Sequence, residues 1–95
     1  MIFVRGRIQF RWNQWNRDHA TIHGLAEWEC EHLVEHAQPP HPQSIGDGKY
    51  LVVRQTPGGM YAQAIFIYSP PGVVYIVHAR PLTQRERHRF RRRRR

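Results

Sequence analysis

Residues 49–79 read KYLVVRQTPGGMYAQAIFIYSPPGVVYIVHA. Three runs rich in β-branched and aromatic residues, 49–56, 60–69 and 73–79, are parted by Pro57-Gly58-Gly59 and Pro70-Pro71-Gly72. Proline presets one backbone angle and glycine supplies conformations that other residues avoid, so each cluster marks a turn. Turns this short join strands running in opposite directions, which predicts a three-stranded antiparallel meander. Pro81 ends the last strand.

Outward from the meander the pattern changes. Residues 38–48 hold three prolines and two glycines and read as a loop between the sheet and a helical half. Residues 25–37 read as a helix, with Ala26, Cys30, Leu33, Val34 and Ala37 on one face and Glu27, Glu31 and Glu35 on the other. Trp28 falls among the acids. Residues 13–23 read as an earlier helix, with Asn13 as N-cap and Gly24 as terminator. Its expected buried stripe is Trp12, Trp15, His19 and Ile22. Residues 2–10 alternate as a strand, Ile2, Val4, Gly6, Ile8 and Phe10 against Arg5, Arg7 and Gln9. At the other end, Thr83 and Glu86 have the spacing of a capping box opening a basic helix.

The expectation is an α+β fold of order β-α-α-β-β-β-α, an antiparallel sheet with two N-terminal helices and one C-terminal helix packed on it. Residues 1–90 form a single domain. Residues 91–95, five consecutive arginines, repel one another and are expected as a disordered basic tail.

The chain has 95 residues and a formal net charge of +8, most of it from residues 85–95. Charge of this sign points to polyanionic partners rather than to a fold. One cysteine in 95 residues fits a reducing cytoplasm better than a disulfide scaffold. No apolar run approaches the roughly 20 residues of a membrane span, so no membrane is expected.

The residues that could carry chemistry are few. His78 and Arg80 are two apart at the end of a strand, so they share a face. An imidazole exchanges protons near neutral pH and a guanidinium grips phosphate with two prongs. Together they supply a minimum for cutting RNA without a metal or cofactor. The plainer alternative is that Arg80 pairs with an acid and His78 is a surface polar residue. His19 and His23, like His32 and His36, are four apart, but neither pair has a third ligand at metal-site spacing, and no metal is expected. Cys30 sits on a buried face and reads as an inert thiol.

Taken together, the segments 10–13, 23–25, 49–53 and 77–87 resemble the BrnT-like ribonuclease toxins of bacterial type II toxin–antitoxin systems. The likeness is carried by Phe10-Arg11-Trp12-Asn13, by His23-Gly24-Leu25, by Lys49-Tyr50-Leu51-Val52-Val53, and by the stretch from Val77-His78-Ala79-Arg80 to Arg85-Glu86-Arg87. Ile22, His78 and Asn13 depart from the family's usual basic, small hydroxyl and acidic residues. The resemblance implies a RelE-like fold, metal-independent RNA cleavage in the cytoplasm, and neutralisation by a cognate antitoxin protein.

The expected site is Arg80 on the scissile phosphate, His78 or His23 moving protons, and Lys49, Arg54, Arg85, Arg87 and Arg89 along the flanking RNA. The rivals are a non-catalytic basic nucleic-acid-binding module and a protein-interaction module.

Overall fold

The computed structural model describes residues 8–93. The elements are β1 (Gln9–Phe10), α1 (Gln14–Thr21), α2 (Glu27–Glu35), β2 (Gln43–Gly46), β3 (Lys49–Gln55), β4 (Tyr61–Ser69), β5 (Val73–Pro81) and α3 (Gln84–Arg93). The fold is α+β, as the pattern predicts. One five-stranded sheet runs β1-β5-β4-β3-β2, antiparallel except for the parallel β1–β5 pair. Residues 2–7 of the expected first strand lie outside the described residues. So do Arg94 and Arg95, while α3 continues into the arginine run as far as Arg93. Among the described residues no helix is long and apolar enough to cross a membrane.

The stretch 38–48, expected to be loop, contains the fully exposed edge strand β2. It pairs with β3 and is bulged between Ser44 and Gly46. Gly46, Asp47 and Gly48 all have positive φ, 95°, 57° and 73°. The glycines that signal a loop are what let the chain double back within three residues and pair.

The core lies on one face of the sheet. Val52, Ala62, Ala64, Phe66, Val74, Ile76 and Ala79 are buried there with Ala20, Leu25, Cys30, Leu33 and Val34 from the helical half. Alternation along β4 explains the division: Ala62, Ala64 and Phe66 point inward, whereas Gln63, Ile65 and Ile67 form the second face. α2 behaves as its pattern predicts, burying Cys30, Leu33 and Val34. Its outer acids are used locally. Glu31 accepts from Trp12 Nε1 at 2.7 Å, and Glu27 pairs with Arg17.

α1 does not follow its pattern. Trp15 is 51% exposed and Ile22 73%, and His19 is exposed. Only Trp12 of the expected stripe is partly buried. The buried residues are Asn16 and Ala20. The reason is visible in the hydrogen bonds at the outer edge of β5. Gly72 O and Val74 O accept from the backbone N–H groups of Gln9 and Arg11. The next outward carbonyl, Ile76 O, accepts from Asn16 Nδ2 at 3.0 Å. The side-chain amide thus continues a ladder that the main chain has left to become a helix. Asn16 Nδ2 also donates to Arg11 O, and its Oδ1 accepts from Asn13 N, so every polar atom of this buried side chain is satisfied. A capping box of Asn13 with Asn16 fixes the start of the helix, and Gly24, at φ +100°, follows its end.

α3 opens on the expected box: Thr83 Oγ1 accepts from Glu86 N, and Glu86 Oε1 accepts from Thr83 N. Its Phe90 ring lies 5.9 Å from Tyr61 and 6.2 Å from His41.

Candidate active site

β5 carries two of the candidate residues, and a bulge aims them. Opposite β4, Phe66 pairs with Ile76 but the next residue, Ile65, pairs with His78, leaving Val77 without a counterpart. The extra residue shifts the alternation by one. Val74 and Ile76 face the core, whereas His78 and Arg80 share the second face with Ile65 and Gln63. The two stay co-facing as their spacing predicts, on the side opposite Val74 and Ile76.

His23 arrives from the other direction. It follows the C-terminal end of α1, which lies along the outer edge of β5. The rings of His23 and His78, 55 positions apart in the sequence, come to 5.5 Å between centroids at 64°. His23 is exposed and His78 half-buried.

His78 is held below the ordinary histidine pKa, first by burial, then by the neighbouring His23 and Arg80. Its Nδ1 is buried with no hydrogen-bond partner among the described residues. An imidazolium needs two acceptors and this environment offers Nδ1 none, which again favours the neutral ring.

Arg80 is engaged. Its Nη1 and Nη2 donate to the two carboxylate oxygens of Glu86, each at 2.8 Å, and Nη1 also donates to Pro81 O. Glu86 is pulled down to about 2, chiefly by Arg80 and next by the Thr83 N–H. The same bond raises Arg80. One carboxylate therefore caps α3 and clamps Arg80. Arg80 Nε makes no hydrogen bond among the described residues.

The expected flanking cations divide. Arg85, Arg87 and Arg89 are all exposed on α3, with Arg85, Arg89 and Arg92 on one stripe and Arg87 on another side. Arg54 and Arg89 line a cleft of about 200 Å³ floored by Leu51, Val53, Leu82 and Phe90. Glu86 lines it too, so the cleft adjoins the Arg80 clamp. Lys49 is left out: it pairs with Ile67, whereas Arg80 lies level with Gln63 and Val53, about 13 Å further along the strands. Cys30 is buried and its thiol is pushed up to about 12, first by burial and then by Glu29, which leaves no thiolate to react.

The plainer alternative for Arg80, pairing with an acid, holds: the partner is Glu86, the capping-box acid six residues after the arginine. A ring cluster along the same seam escaped sequence reasoning and had no sequence signal. Trp15 stacks on His19 at 3.8 Å and on Tyr75 at 6.4 Å, with Arg11 over the Tyr75 ring at 4.5 Å.

Compared with protein-family models, curated proteins and solved structures, the chain finds no match.

Proposed function

We propose that this chain is a metal-independent endoribonuclease of the toxin type, restrained by a cognate antitoxin protein. The observation that carries the reading is the meeting of two imidazoles from distant elements beside Arg80, on a protein with net charge +8.

In this reading RNA lies along the seam between α1 and β5. With its one proton on Nδ1, the neutral His78 ring takes the proton of a ribose 2′-OH at Nε2, and the oxygen attacks the adjacent phosphorus. The bond to the 5′-oxygen breaks, leaving a 2′,3′-cyclic phosphate, and His23 supplies the proton that the departing oxygen needs. Arg80, oriented by Glu86, turns its unengaged Nε–H toward the phosphate as charge grows there. Arg85 and Arg89 on α3 hold the flanking backbone.

The test is incubation of purified chain with single-stranded RNA in excess chelator. The expected result is strand scission with cyclic-phosphate ends, reduced 10²- to 10⁴-fold by His78→Ala, as befits loss of a general base. Because the base must be neutral, activity falls as pH drops below an inflection lower than about 6.5. Intact RNA, or equal cutting by the His78→Ala and Arg80→Ala variants, sinks the reading.

The Glu86 clamp favours a second reading, a basic module that binds RNA without cutting it, because a guanidinium held bidentately has fewer donors for a transition state. It expects salt-sensitive binding with no scission.

A further inference from the structure

The α1–β5 seam extends past the histidine pair. His19 lies in the last turn of α1, which ends just before His23, and Trp15 one turn further back. On the strand side, Tyr75 precedes His78. The rings of Trp15, His19 and Tyr75, with the Arg11 guanidinium, therefore form a second group on the same α1–β5 seam as the two imidazoles.

Trp15 is not part of the buried core. Its ring is half exposed while the small Ala20 and the amide of Asn16 do the packing. Yet it is held. His19 stacks on it with planes within 17°, and His19 Nδ1 lies 2.7 Å from Trp15 O, an acceptor that requires the nitrogen to be the donor. Tyr75 lies within 17° of the same plane, and its hydroxyl donates to Asn13 Oδ1, tying it to the helix cap. A fixed, half-exposed indole adds large contact area at small entropic cost. With a cation alongside, it has the composition of a surface for an unpaired base and its phosphate.

We propose that Trp15, Tyr75 and Arg11 form a base-stacking subsite for single-stranded RNA, next to the His23–His78 pair. This rests on the ribonuclease reading for the choice of polymer. The base lies on the exposed part of the Trp15 indole, and Arg11 meets its phosphate. The subsite sets which nucleotide sits beside the histidines and requires that it be unpaired, since a base inside a duplex has no free face to offer.

The test uses the full chain carrying His78→Ala, which slows cutting enough to measure binding. Its binding to a short labelled single-stranded RNA is compared with binding to an abasic oligomer of equal length and charge. Base-bearing RNA binds about tenfold more tightly. Adding Trp15→Ala removes that preference and leaves the abasic affinity and salt dependence unchanged, whereas Trp15→Phe restores most of it. Circular dichroism confirms that both variants fold. An equal affinity for the two oligomers in the parent, or a preference that survives Trp15→Ala, overturns the subsite. So does a Trp15→Ala effect confined to self-association in sedimentation, which would make the patch a protein interface. Base preference lost on Trp15→Ala in a chain that never cuts RNA supports the subsite and removes the nuclease reading. Cutting without base preference does the reverse.

Discussion

α1 and α2 are neighbouring helices of eight and nine residues, and they obey opposite rules. α2 buries Cys30, Leu33 and Val34 and turns Trp28 outward among acids, as its periodicity dictates. α1 buries an asparagine and an alanine and leaves a tryptophan outside. The first is held by apolar area removed from water, the second by three hydrogen bonds at the margin of a sheet. An element that departs from its local pattern with a compensating gain is where function is to be sought. Here the departing helix carries Trp15 and His19 and leads directly into His23.

The contrast is open to direct attack. Leu33→Ala on α2 removes fully buried volume and is expected to cost about 2–5 kcal/mol, read as a fall in the denaturation midpoint. A loss under 1 kcal/mol would mean that α2 is not the packing helix. Asn16→Ala on α1 strands Ile76 O and undoes the cap, for about 1–3 kcal/mol. It also loosens the approach of His23 to His78, so on the proposed ribonuclease reading cleavage is expected to suffer beyond the stability loss, whereas Leu33→Ala is expected to leave it intact wherever the chain stays folded. Glu86→Gln is a smaller change, about 1 kcal/mol or less for a pair one-third exposed. Glu86 has its pKa lowered on folding, so its contribution is complete above about pH 4.5 and is lost as pH falls toward 2. Urea midpoints of wild type and variant should therefore converge in that window. Smallest of all is Trp15→Ala, within about 0.5 kcal/mol despite the size of the side chain. A large drop there would return Trp15 to the core and erase the contrast.

The same contrast explains what the sequence made legible. Signals that act within a few residues were readable: the Pro-Gly turns of the meander, the Asn13 cap, the Thr83–Glu86 box. Periodicity was readable where burial is the stabilising force, as on α2. The facing of α1 was not, because the partner of Asn16 is Ile76, 60 residues away, and nothing local marks that pairing. β2 was hidden because four exposed residues have no apolar face to alternate. At the site, spacing placed His78 and Arg80 on a common side. The convergence of His23 was carried by a resemblance, and the Trp15 cluster was misread because a large aromatic at helical spacing counts as interior by default.

The bulge at Val77 makes the orientation of the proposed site a matter of parity. With Val77 kept but paired regularly opposite Ile65, every side chain after Ile76 would swap sides. His78 and Arg80 would be driven among Ala64, Phe66 and Leu33, where neither has a partner, and Ala79 would take their place outside. One unpaired valine thus decides whether the imidazole and guanidinium meet solvent or oil, and a strand that paired without skipping it would forfeit fold and chemistry in the same step.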